Sequence, residues 1–201
     1  PAGTPVPLTG HATNSVGGPA AFVMVNIHFK VRETHRVISA LTDAQGNFTT
    51  TWQPLANEAG SYAIAAGHPG EADPATQDSF TLLGMKASPE APALTVVEHG
   101  TNSGLIKVRN LSDVPLTGLT VAVQSQPANI QATVALFPLP GGEGGPATNL
   151  LGLATNYLRY VISAQDTSIA QGTVLVRISS TEGATLDIPI TVKVQSLVPR
   201  L

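Results

Sequence analysis

Apolar residues recur at every second position along most of this chain. In FVMVNIHF, residues 22–29, Val23, Val25, Ile27 and Phe29 share one face, while Asn26 and His28 share the other. That period of two marks a strand with one buried face. HRVISAL (35–41), GNFTTTW (46–52), SYAIAA (61–66) and SFTLLGM (79–85) continue the pattern. Phe48, Thr50 and Trp52 alternate with Asn47, Thr49 and Thr51, and Tyr62, Ile64 and Ala66 fall together. With TPVPLTGHA (4–12) as an edge strand, these runs predict a small β-sandwich. A second series predicts strands at 93–99, 104–110, 118–124, 130–137, 157–164, 173–180 and 185–194. In the last of these, Leu186, Ile188, Ile190, Val192 and Val194 make one inward face.

Gly, Pro, Asn and Asp interrupt the runs every 8 to 12 residues or so, the spacing of sandwich or barrel turns. KASPEAPA (86–93) contains two prolines, each of which removes a ladder donor and holds its predecessor extended. The expected division is therefore 1–87 and 88–201, joined by a short, semi-rigid tether. PLPGGEGGPATN (138–149) is longer than a hairpin needs, and long loops are where binding residues gather. Asn149, with Asn156 and Tyr157 nearby, forms the candidate ligand loop.

TDAQGNFTTTW (42–52) is the most legible stretch. Asp43 can close an Asx-turn on its own backbone and Gly46 can take positive φ, a turn that feeds Phe48 and Trp52 inward as anchors. A calcium loop needs six to eight oxygen ligands, and only Asp43 and Asn47 are on offer here. Followed by NEAGSYAIAA, and preceded by GGPAAFVMV (17–25), the stretch resembles the TDxxGxF…GxYxxxA signature of bacterial Ig-like and carboxypeptidase-regulatory-like domains over about residues 4–85. One departure is VRETH (31–35), which stands where those domains have a Gly-containing hairpin. VRNLSDVPLTGLTVAV (108–123) and IPITVKV (188–194) resemble CARDB- or NEW3-type Fn3/Ig-like modules over about 93–196. The resemblances imply an all-β fold of two tandem Ig-like β-sandwich domains. They also imply spacer, stalk or accessory roles.

Composition narrows the function. Charged residues make up 11% of the 201, against about 25% in ordinary domains. The formal charge of -3, with no Lys/Arg run in the sequence, gives no footprint for nucleic acid or anionic membrane. The absence of cysteine excludes disulfides, thiolate nucleophiles and Cys-based zinc sites. No apolar run approaches the roughly 20 residues that span a bilayer. The chain begins at Pro1 and reads as a mature or excised piece of a longer product, whose closing SLVPRL is a linker start or a thrombin-type scar.

Candidate chemistry is sparse. His11, His28, His35, His68 and His99 lack the i, i+4 or i, i+2 spacing that sets two metal ligands on one face. His28 and His35 flank a hairpin and could meet across strands, and His68, Glu71 and Asp73 share the turn HPGEAD. Neither G-x-S-x-G nor H-E-x-x-H occurs. An internal Lys–Asn isopeptide could join Lys107 or Lys193 to Asn110, Asn129 or Asn156, with Lys107 in phase with Leu105 and partly inward. Asn47 and Asn110 sit in N-x-[ST] sequons. Of Tyr157 and Tyr160, opposite in parity, one should face outward. The sequence therefore predicts no enzyme, cofactor or metal site. It predicts a structural module pair of a bacterial extracellular or cell-surface protein. Its partners would be neighbouring domains, other copies, glycans or surface proteins. The alternatives are an adhesive or carbohydrate-binding module, and a filament subunit whose start, PAGTPVPLTG, is donated as a strand.

Overall fold

A computed structural model of the chain describes residues 2–197; the SLVPRL end beyond Leu197 lies outside the described residues. The described residues are all-β, without a helix, and the chain divides between Leu82 and Leu83 into two compact units.

The first unit contains β1 (Val6–His11), β2 (Met24–Val31), β3 (Thr34–Leu41), β4 (Asn47–Trp52), β5 (Gly60–Gly67) and β6 (Asp78–Leu82). β1 and β4 pair antiparallel as a two-stranded sheet, facing a four-stranded sheet ordered β3-β2-β5-β6. The alternation noted above sets the core between them: Leu8, Val25, Ile27, Phe29, Phe48, Trp52 and Tyr62 are all buried. Val23, expected inward with them, lies before β2 begins and is exposed. Trp52 stacks on Phe29 at 4.6 Å between ring centroids and meets Tyr62 edge-on at 4.9 Å, arrangements that favour the aromatic quadrupole. Only Arg32 and Glu33 separate β2 from β3, and Arg32 adopts φ 51°, the conformation a glycine would otherwise supply.

The second unit contains β7 (Met85–Ser88), β8 (Ala93–Val97), β9 (Thr101–Asn110), β10 (Thr120–Ser125), β11 (Ile130–Phe137), β12 (Thr155–Ala164), β13 (Gln171–Ser179) and β14 (Thr185–Gln195). Its sheets run β11-β12-β9-β7 and β10-β13-β14-β8. This is the D-E-B-A and C-F-G arrangement of an Ig sandwich, with β8 added in parallel along β14. Ile188, Ile190, Val192 and Val194 do line the core, facing Ile106, Val108, Leu158 and Ile162.

Two expectations change here. SFTLLGM is not one strand: β6 stops at Leu82, and Met85 and Ala87 of β7 are buried in the second core, paired with Asn110 and Val108 of β9. Residues 83–88 therefore pack with the second unit, because the Met85/Ala87 alternation matches an open edge of β9. Lys107 is not partly inward. Ile106 and Val108 are fully buried on either side of it, so Leu105 and Lys107 both point out.

Candidate functional site

The Asp43 turn is held from several directions. Asp43 Oδ1 accepts from the backbone N–H groups of Gln45 (2.9 Å) and Asn47 (2.8 Å), and Oδ2 accepts from Asn47 Nδ2 (3.2 Å). These donors hold its carboxyl below the usual range. Gly46 has φ 81°, and its carbonyl accepts from Ala12 N at 2.8 Å. A β-carbon on Gly46 would lie 2.6 Å from Ala12 O. Phe48 and Trp52 are both buried in the first core. The carboxylate oxygens are thus spent inside the turn, where they fix the connection between β3 and β4 and close one end of β1.

The hairpin brings His28 and His35 together. His28 Nδ1 lies 2.9 Å from His35 Nε2, and the rings stack at 5.0 Å. His28 stands on the sheet face opposite the core, yet it is 3% exposed. The 68–73 turn is drawn to the same face by the ion pair of Lys30 with Asp73, while His68 holds the turn itself through Gly70 N and Glu71 N. Burial, then the neighbouring His35 and Lys30, push the His28 pKa down. Among the described residues no group of three or more His, Asp or Glu is placed to hold a metal ion.

Between the two-stranded sheet and its four-stranded partner a cavity of about 930 Å³ opens to solvent, with Leu8, Val25, Ile27 and Phe48 among its apolar lining and Asn14, Gln77 and Asp78 among its polar lining. Two strands cannot cover four, and among the described residues β1 pairs with β4 alone. Residues 6–10 of the PAGTPVPLTG start, with His11, are paired to β4 within their own unit, and one β1 edge is left open.

In the second unit the candidate ligand residues separate. Asn156 is buried, and its Nδ2 donates to Asn149 O at 2.9 Å. Asn149 itself is exposed, and Tyr157 is half-buried. Asn156 thus ties the end of the Gly/Pro loop to β12, leaving Asn149 and Tyr157 to meet solvent. Asn110 acts similarly. Fully buried, it donates to the carbonyls of Val114, Leu150 and Leu151 and accepts from Ser112 N and Oγ. That environment leaves no room for a glycan on the Asn110 sequon, whereas Asn47 is exposed. Asn110, Asn129 and Asn156 are buried while Lys107 and Lys193 point outward, so these side chains do not meet as an isopeptide requires.

Glu182 is a residue that spacing did not reveal. Its carboxylate accepts from Thr117 N (3.0 Å) and Thr117 Oγ1, and these bonds lower its pKa to about 2. Thr-Glu-Gly at 181–183 signals a turn, but the partner lies 65 residues away and has no local signature. Arg177 and Asp187 form a two-pronged ion pair across β13 and β14, with both N···O distances 2.6 Å.

No helix among the described residues is long and apolar enough to cross a membrane. No family model matches the chain, and no curated protein matches it. Several solved structures are similar. A protein of unknown function from Porphyromonas gingivalis W83 is 9% identical, with 88% of this chain and 87% of that one covered at a TM-score of 0.37. BcpA, the major pilin subunit of Bacillus cereus, is 10% identical over 96% of this chain and 70% of its own, also at 0.37. The BIgI domain of beta protein from S. agalactiae, solved bound to CEACAM1, is 15% identical over 58% of this chain and 100% of its own, at 0.31. At such identities and TM-scores the likeness says nothing of function.

Proposed function

We infer that the chain is a non-catalytic structural module pair of a bacterial extracellular or cell-surface protein, spacing its neighbours and withstanding tension between them. The observation that carries this is the pairing of β8 with β14. They run parallel over five register pairs, Ala93↔Thr191 to Val97↔Gln195. β8 lies near the start of its unit, and β14 is the last strand among the described residues. Tension between the ends of the unit pulls such a pair in shear, so its hydrogen bonds must fail together. In the first unit, β1 and β6 lie in different sheets and can be peeled off one bond at a time. The shifted carboxylates Asp43, Asp73, Asp166, Asp187 and Glu182 are all lowered by turn donors or an ion pair. That is the condition of structural groups and not of a general acid.

Single-molecule stretching of the full chain tests this reading. Two unfolding events are expected, releasing roughly 280 Å and 410 Å of contour from the first and second units. The longer event should occur at clearly higher force, and Thr95→Pro in β8 should lower it selectively. Equal low forces for both units would overturn the tension reading.

The open β1 edge and its adjoining cavity favour a second reading, uptake of an extended strand from another copy or partner. Light scattering that finds only monomers at every concentration would end the self-assembly form of it.

A further inference from the structure

The strands of one sheet of the second unit carry charges of a single sign. None of the four strands β11, β12, β9 and β7 contains Asp or Glu, yet together they hold Lys86, Lys107, Arg109 and Arg159. These are four of the ten Lys and Arg in a chain whose formal charge is -3. Alternation leaves them no choice of side. Ile106, Val108, Leu158 and Tyr160 occupy the buried positions between them, so all four cations project from the outer face.

Register then draws them together. Tyr157 sits between Lys107 on β9 and Phe137 on β11, and Arg159 follows two residues along between Leu105 and Ala135. On the other side, Arg109 lies opposite Thr155 on β12 and Lys86 on β7. With strands about 4.8 Å apart and same-face residues about 7 Å apart, Lys107, Arg109 and Arg159 all fall around Tyr157. Lys86 has a partner in Glu90 at 3.0 Å. Among the described residues, Lys107, Arg109 and Arg159 make no ion pair, and all three are exposed. Arg109 directly opposite Lys86 is a like-charge pair, an arrangement unfavourable to folding that a bound anion would offset.

The face selects its ligand by shape as well as charge. It is a sheet surface and not a pocket, which suits an extended polymer. A half-buried tyrosine among cations offers a ring for a sugar face, flanked by donors for carboxylates. Duplex nucleic acid and poly-glutamate share the negative charge but offer no free sugar-ring face to Tyr157, so they serve as comparisons in the test. We propose that this face binds an acidic polysaccharide of the uronic-acid type, Tyr157 stacking on a sugar ring while Lys107, Arg109 and Arg159 take its carboxylates.

The test is binding of the full chain to immobilised polygalacturonate at low salt, with dextran, poly-glutamate and duplex DNA as comparisons. The expected result is binding to polygalacturonate in preference to all three, weakening as salt rises. The exposed variant Lys107→Glu/Arg109→Glu/Arg159→Glu should bind about tenfold or more weakly, with a melting temperature no lower than the parent's. Tyr157→Ala, which leaves every cation in place, should also weaken binding. Absence of wild-type binding, or binding that the triple variant retains, would overturn the proposal. So would equal binding to poly-glutamate or DNA, which needs only charge. The stretching experiment does not depend on this surface, so the two proposals fail separately.

Discussion

His28 and His35 share one short contact, Nδ1 to Nε2 at 2.9 Å, on the sheet face that lies away from the core. The folded protein holds His28 with a pKa below its ordinary value, chiefly through burial. A base whose folded pKa is depressed contributes stability while it stays neutral. That contribution is lost as pH falls through the unfolded value, near 6.5, because the unfolded chain then binds more protons. Trp52, the single tryptophan, is buried in the same unit, so its fluorescence reports this unit alone. Its melting temperature should fall between pH 7.5 and 5.5, and His28→Gln should flatten that dependence. An equal slope in the variant would remove His28 as the cause.

Gly46 joins a positive φ to a close approach on Ala12 O. Valine there meets both the left-handed backbone and a fixed carbonyl, a combination that costs about 2–3 kcal/mol. Gly46→Val should lower the denaturation midpoint followed by Trp52 fluorescence. A variant as stable as the parent would show that the turn relaxes without strain.

Asn110 is the hub of a buried network, donating to the carbonyls of Val114, Leu150 and Leu151 and supplying the acceptor for Ser112 N and Oγ. Asn110→Ala leaves the buried Ser112 N–H without its acceptor and removes one donor from each carbonyl, and should destabilise the second unit by about 2 kcal/mol. Asn110→Asp should be no better, since a carboxylate cannot donate to a carbonyl. Chemical denaturation followed by far-ultraviolet circular dichroism, beside the Trp52 signal, separates the units. An equal loss in both would mean that the network does not act locally.

Glu182 behaves oppositely to His28 with respect to pH. Its folded pKa of about 2 lies below the ordinary 4.5. Its bonds to Thr117 therefore contribute stability above pH 4.5, and the contribution fades as pH falls toward 2. Glu182→Gln should remove part of the acid-induced destabilisation of the second unit in that window and leave the Trp52 signal unaffected. An acid profile identical to the parent's would show that solvent already screens the contact.

Much of the fold was legible in the sequence because alternation is local. A period of two in residues 185–194 or 46–52 requires only that one strand face be buried, and the residues name that face themselves. The turn at Asp43 and Gly46 was legible for the same reason, since donor, acceptor and glycine all lie within five residues. What escaped is non-local. SFTLLGM has the composition of one strand, and only the open edge of β9 decides that Met85 and Ala87 belong to the second core. Lys107, in phase with Leu105, is expected partly inward from the sequence, and the burial of Ile106 and Val108 turns both outward. His28 has the parity of an exposed residue, yet with His35 stacked on its ring it is 3% exposed. Lys86, Lys107, Arg109 and Arg159 make no cluster in the sequence, and sheet order alone brings them onto one face. Side-chain alternation is a property of each strand, determined by its own residues. Which strands become neighbours depends on shared burial across the whole chain, and only the tertiary structure decided that.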